Sequence, residues 1–370
     1  MEEAKQSGRI QAIDISKGIG IICVVILHSI PAQSPLYNVF VTFVMPLFFF
    51  LSGTVIKEVN GRFDIYDFFK KNLKLLINYF VCSGIYLVLD FFVEFLLLKS
   101  IDYTTIAVDI TATVLLSGIN VLWFFTALLG GKFLCVYILS KSKSPVLNIA
   151  IVCVSMIGAL IIARALHTLP ESGIMRAVRL LCQTIIRPFF VLIYIMAGYY
   201  SKKILRLLIE MNKKIINTIP IFSMGAALIV LISFMGQPVI NNIKNLNFIH
   251  IPEMIICSFA GTIGVVLISI VLSKFKGINR VLSYFGVNSL FIMIVHDQIN
   301  IQRLGRFLAE KITSDAYPMY TLKSVFVLIV CVIMTALLAK PYNKLINTIN
   351  GKIISLTEKK HRSNYNDKIS

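Results

Sequence analysis

Charge is scarce in this chain. Only 15% of its 370 residues are Asp, Glu, Lys or Arg, 57% are hydrophobic, and mean hydropathy is +0.82. A soluble globular protein needs a more polar surface than that, so a soluble class is excluded. Acidic residues are scarcer than basic ones, 18 against 36, and the net charge is +18. In a soluble domain such an excess points to nucleic acid. Among membrane-length apolar segments it follows from the enrichment of Lys and Arg in cytosolic loops, and no nucleic-acid partner is expected. The seven cysteines (Cys23, Cys82, Cys135, Cys153, Cys182, Cys257, Cys331) all fall in apolar runs, with no C-x-x-C pair. They read as small buried hydrophobes, excluding a disulfide framework or a cysteine metal site. No G-x-S-x-G elbow, phosphate-binding glycine loop or H-E-x-x-H motif occurs, so serine hydrolase, nucleotide hydrolase and zinc protease readings lack support. No internal repeat is visible, which counts against a transporter of duplicated halves.

What is present is a succession of apolar segments near 13–31, 38–56, 74–98, 121–140, 145–167, 181–200, 215–235, 254–273, 281–299 and 321–345. Each is long enough to cross about 30 Å of hydrocarbon as a helix. The chain is therefore an all-α polytopic integral membrane protein of about ten transmembrane helices. Lys5 and Arg9 before the first segment mimic a signal peptide, but the polar residues within that segment and the hydrophobic chain after it predict an uncleaved helix. Residues 101–118 are shorter and carry Asp102 and Asp109, and are predicted to be interfacial or re-entrant. With the N-terminus in the cytosol, most of the 36 Lys and Arg fall in inner loops, so both termini are placed there. The outer exceptions are Arg176, Arg179 and Arg187, and Arg303, Arg306 and Lys311. Residues 1–350 form the transmembrane domain, and the polar residues 351–370 are expected to be a disordered cytosolic tail.

The first segment, Arg9 to Ile30, carries three polar groups: Asp14, Lys17 and His28. A helix turns about 100° per residue, so eleven residues bring Lys17 and His28 back to one face, about 16 Å apart along the axis. Asp14 lies one turn below Lys17, where opposite charges meet. A polar stripe into the bilayer costs a few kcal/mol unless it faces protein or water, which marks it as a functional candidate.

Other polar marks follow along the chain. Lys70, Lys71 and Lys74 lie within about a turn on a helix entering from the cytosol, suited to the phosphates of a cytosolic ligand. Anchoring to lipid headgroups accounts for them equally well. The second span reads M-P-L-F-F-F-L-S-G, Met45 to Gly53, with Pro46 breaking the helix ladder and Ser52-Gly53 allowing close approach. Trp123, the single tryptophan, sits in L-W-F-F-T-A-L (122–128), where an aromatic belt at the outer boundary is expected. Arg164 with His167, Arg187-Pro188, and Gly286 to Asp297 with His296 near its outer end are further candidates.

In order, these motifs resemble the membrane-bound acyltransferase-3 family, whose first helix carries a basic residue, ten residues, then histidine. Here that is Lys17 and His28, preceded by D-x-x-K-G as Asp14, Lys17 and Gly18. The likeness continues through F-F-F-L-S-G (48–53), F-F-K-K-N-L-K-L-L-I-N-Y (68–79), L-W-F-F-T-A-L (122–128) and G-V-N-S-L-F-I-M-I-V-H (286–296). Lysines stand where the family often has two arginines, Met293 stands at a usual tyrosine, and Asn78 at a common proline. The nearest branch is similar to sugar and capsule-polysaccharide O-acetylases.

The resemblance implies transfer of an acyl group, acetyl by family default, from cytosolic acetyl-CoA to a hydroxyl of a surface glycan or lipid-linked sugar. It implies a bacterial plasma membrane, a lipid-bilayer setting, contact with polysaccharide-synthesis machinery, and no metal. His28 would take the acceptor proton or help move the acyl group, with Asp14 and Lys17 at the inner mouth and His296 on the acceptor side. Lys70, Lys71 and Lys74, with Ser52 and Arg187, would hold the donor. Two other readings compete. A transporter of a small solute or glycan precursor predicts inverted repeats or paired broken helices. A scaffold in a polysaccharide-synthesis complex leaves His28 dispensable.

Overall fold

A computed structural model describes residues 10–32, 34–59, 63–93, 95, 102–170, 172–235, 240–297 and 301–366. Expectations for Lys5, Arg9 and residues 367–370 fall outside these. The described chain is helical apart from one small hairpin. In order come α1 (Gln11–Ser29), α2 (Pro35–Thr54), α3 (Ile65–Val93), α4 (Tyr103–Val114), α5 (Trp123–Lys141), α6 (Pro145–Leu166), α7 (Gly173–Tyr200), α8 (Lys202–Asn212) and α9 (Ile215–Met235). The hairpin strands β1 (Ile240–Asn242) and β2 (Asn247–Ile249) precede α10 (Ile251–Leu272), α11 (Lys276–Val287), α12 (Ser289–Val295), α13 (Ile301–Glu310) and α14 (Ala316–Asn366). Among the described residues, nine helices are long and apolar enough to cross a membrane, or ten if α11 and α12 count as one span. This is the all-α polytopic architecture that the apolar segments predict.

Local chemistry sets the helix starts. Ser34 and Ser144 accept hydrogen bonds from Tyr37 N and Leu147 N, and each is followed by a proline at the first helical position. Asp102 caps α4 through Thr104 N and Thr105 N, and those bonds, with one from the Thr105 hydroxyl, hold its carboxyl below the usual range. Helix α4, 12 residues long, is too short to span. Its C-terminal end is tied to mid-α3, where the Tyr79 hydroxyl donates to Ala112 O at 3.2 Å and Thr113 O at 3.0 Å. Of α4 only Ala112 is buried, so the helix lies against the bundle mainly by its C-terminal end.

Two expectations need correction. The ninth apolar segment is not one straight span: α11 and α12 meet at 61° across Asn288. The Asn288 amide side chain donates to Tyr284 O at 2.9 Å, competing with the backbone N–H that reaches the same carbonyl. Of the polar C-terminal residues, 351–366 are helical, because α14 runs for 51 residues to Asn366. Its Glu358 pairs with Lys70 at 2.6 Å, so part of this extension is docked on α3. The cysteines are all free; Cys153 is exposed, and Cys182 is half-buried against the edge of the core.

Helix α1 is the hub, packed on α2, α10, α11, α12 and α14. Its crossing with α11 is close because glycines stand at the contact. A Cβ on Gly18 would run into Leu282 O, and one on Gly286 would run into Asp14 O. Helix α7 forms a second hub against α2, α5 and α6.

Candidate active site

The polar groups of α1 lie at two ends of one helix. At its C-terminal end, α12 brings His296 against His28 with ring centroids 4.9 Å apart in an edge-on arrangement. Asp297, next in the chain, places Oδ1 4.0 Å from His28 Nδ1. The His28 side chain is 39% exposed whereas His296 is fully buried, so only the first imidazole faces open space. Nδ1 of His296 lies 3.2 Å from Ile292 O, a carbonyl that can only accept. That contact assigns the proton to Nδ1 and leaves Nε2 with a free lone pair, and among the described residues Nε2 has no hydrogen-bond partner.

Neighbours fix this arrangement. The buried Tyr86 hydroxyl donates to Ile294 O at 3.1 Å, tying α3 to α12. Gln302 on α13 bridges the two histidine-bearing helices, accepting from Ser29 Oγ at 3.1 Å and donating to His296 O at 3.4 Å. Lys323 Nζ on α14 reaches His28 O at 3.5 Å. Lys244, at the hairpin tip, acts electrostatically on His28, Asp297 and Arg187. Burial pushes the Lys244 ammonium below its ordinary value, while Asp297 pulls it back up.

The hairpin is held by Arg187. This residue is 2% exposed, and its guanidinium bonds Lys244 O, Ser117 O and Oγ, and Gln183 Oε1, with the Trp123 ring 5.8 Å away. All five N–H donors are engaged within the protein. Arg187 thus pins the 115–118 turn and the hairpin tip to α7. Trp123 is buried among Arg187, Phe49 and Phe124 and does not belong to an aromatic belt, because α5 begins inside the protein.

At the other end of α1, a cavity of about 470 Å³ opens beside Lys57, Glu58, Asp67, Phe68, Lys71 and Lys132. Lysine distribution assigns this end to the cytosol. Lys132 on α5 is close enough to Lys17 for the two ammonium groups to repel. Lys71 also pairs with Asp67 at 2.5 Å. The loop beside the cavity is pinned from outside, by Lys143 Nζ on Val59 O at 2.6 Å and by Lys202 Nζ on Ile56 O.

The fold regroups the residues that the sequence singles out. Of Lys70, Lys71 and Lys74, Lys71 is among the residues that line the cavity. Lys74 is three residues from Lys71 and four from Lys70, so it neighbours both on the helix surface. Lys70 meets Glu358. Ser52 donates to Phe49 O at 2.7 Å and, like Arg187, does not line the cavity. Asp14 is buried where α1 crosses α11. Arg164 lies exposed at the end of α6. Sequence reasoning gave Lys132 and Lys244 no site role and named Asp297 only as the neighbour of His296. Lys132 carried a readable signal, a lone lysine in the apolar run 121–140. Lys244 carried none, since only the folded hairpin brings it to the histidines.

A cytosol-facing lysine cavity and an opposite histidine pair, joined by one helix, form an arrangement that can handle an anionic donor on one side and a proton on the other. Comparison with curated proteins and with solved structures gives no match. The family model described as an acyltransferase domain matches residues 10–346, spanning α1 with both of its ends and most of α14. That match takes in the lysine cavity and the histidine pair alike, and by it the chain belongs to the membrane-bound acyltransferase-3 family.

Proposed function

We propose that this membrane acyltransferase moves an acyl group, acetyl by preference, from cytosolic acyl-CoA to a sugar hydroxyl of a cell-surface glycan or its lipid-linked precursor. The observation that carries the reading is the His28–His296 contact with Asp297 beside it, at the far end of the helix that carries Lys17 near the lysine cavity. Lys71 and Lys132, with Lys17 near them, supply ammonium groups for the phosphates of CoA. The thioester then extends along α1 toward His28.

In the transfer step, the acceptor oxygen attacks the thioester carbonyl carbon. Imidazole, whose pKa lies near neutrality, takes the hydroxyl proton. Collapse of the tetrahedral intermediate breaks the carbon–sulfur bond, leaves the acyl ester on the sugar, and passes the proton to the departing thiolate. His28 is the proposed base because it is the exposed imidazole. Asp297 acts through it, favouring a proton on Nδ1 and leaving Nε2 to accept. His296 meets it edge-on, with Nε2 free to receive a hydrogen bond from the acceptor.

The test is surface-glycan NMR on cells lacking the gene, complemented with wild type or with His28→Ala. An O-acyl signal restored by wild type alone supports the proposal and identifies both acyl group and acceptor. An unchanged acyl pattern with an altered amount of glycan would reject it in favour of transport or a scaffold.

A further inference from the structure

A second cavity, of about 460 Å³, lies on the other side of the hairpin and plays no part in the transfer chemistry above. It is lined by His167, Arg176, Arg179, Gln183, Asn245 and Asn247, with Leu180 as an apolar wall. We infer that this pocket is a binding subsite for an oxyanion, phosphate or carboxylate, carried by the acceptor. The inference rests on the acyl-transfer reading for the word acceptor; the anion site itself does not.

Three observations carry it. Arg176 and Arg179 stand three residues apart on α7, so both guanidiniums come from one helix face. Guanidinium is planar and donates in pairs, which matches carboxylate and phosphate oxygens. Second, the pocket is built. His167 Nδ1 lies 3.2 Å from Arg179, which can only donate, so His167 Nε2 carries the ring proton and donates to Leu246 O at 3.2 Å. The imidazole is thereby fixed between the hairpin and α7, and it aims one arginine. The remaining polar walls described are amides.

The third observation is position. Positive charge on the outer side runs against the bias of the rest of the chain, and here it is gathered around a cavity. The hairpin joins this cavity to the histidine pair. Lys244 at its tip acts on His28 and Asp297, while Asn245 and Asn247 line the pocket. Gln183 lines the pocket and also bonds Arg187, which holds the tip. An acceptor with its hydroxyl at His28 therefore places a neighbouring anionic group within the width of one hairpin. The mostly polar lining does not suit an acyl chain.

The chain's single tryptophan gives a readout, because Trp123 lies against Arg187 and so one hydrogen bond from pocket-lining Gln183. Full-length protein in phosphatidylcholine nanodiscs is titrated with inorganic pyrophosphate and with glucuronate, using glucose as the uncharged control. Fluorescence is expected to change saturably with at least one anion and not with glucose. Arg176→Gln and Arg179→Gln are each expected to weaken that response about tenfold, the loss of one charge-assisted hydrogen bond. Arg303→Gln, on α13, is expected to leave it unchanged, as are all three variants for acetyl-CoA binding. In cells, Arg176→Gln should lower glycan O-acylation.

No response to either anion overturns the inference, as do Arg176 and Arg179 variants that bind like wild type. An equal loss in Arg303→Gln would reduce it to bulk surface charge. If phosphatidylglycerol in the nanodisc abolishes the response and Arg176→Gln leaves acylation intact, the site holds lipid headgroups and the acceptor assignment fails. His28→Ala decides the transfer reading separately. Should acylation survive that change while the pocket still binds anions, the anion site stands and the transfer reading falls.

Discussion

His28 of α1 and His296 of α12 meet edge to face with 4.9 Å between ring centroids, although the bundle separates their helices widely in sequence. One imidazole is exposed and the other fully buried, so the pair has an outward member that reaches a substrate and an inward member that backs it. The difference in burial assigns different expectations to the two residues.

His28→Ala is expected to lower acyl transfer by at least about 10²-fold, the usual contribution of a positioned general base. His296→Ala is expected to lower it less, with acyl-CoA binding unchanged in both. Transfer rates measured in proteoliposomes check this, and equal activity of His28→Ala and wild type would remove the base assignment.

Asp297→Asn keeps the shape at 4.0 Å from His28 Nδ1 but removes the charge that favours the imidazolium. The pH–rate profile should therefore change in shape, because the carboxylate no longer bears on the His28 ring. Maximal rate should drop about tenfold, within the range of a lost orienting group. A pH–rate profile identical to wild type would show that Asp297 does not act on His28.

On the cytosolic side, Lys71→Gln and Lys132→Gln are expected to weaken acyl-CoA binding about tenfold each, as for removal of a charge-assisted contact. Lys74→Gln should change it little, because Lys74 does not line the cavity. Calorimetric titration with CoA separates the two groups. Equal losses at all three positions would return the lysines to a general electrostatic role.

Arg187→Leu removes every hydrogen bond that the guanidinium makes to Ser117, Gln183 and Lys244. Two buried carbonyls lose their donors, at about 1–3 kcal/mol each. Lower thermal stability, altered Trp123 fluorescence and faster proteolysis between Ile240 and Ile249 are expected. Unchanged protease resistance there would mean that the hairpin is held by other contacts.

Gly286→Val forces a side chain into Asp14 O at the α1–α11 crossing. Overpacking of this kind costs about 1–3 kcal/mol and often more when backbone must move. A lower melting temperature with reduced transfer is expected. Gly277→Val, with open space around that position, serves as the control.

Much of this protein is legible from its order of residues. Apolar segments of membrane length give the helical class, because hydrocarbon requires every backbone group to bond within its own segment. The spacing of Lys17 and His28 gives their common face, because the pitch of a helix is constant. The tertiary structure alone decided what lies opposite each face. Asn288 has an ordinary sequence context, yet the bend there turns α12 so that His296 reaches α1. Arg187 reads as an intramembrane charge seeking a ligand until Ser117 and Lys244, from distant segments, are seen to take up its donors. The stretch from Ile240 to Ile249 is too short and too polar to read as a span, and its hairpin tip is held by Arg187 from a distant helix. Local periodicity fixes which side of an element is functional, and only packing between distant elements fixes what that side meets.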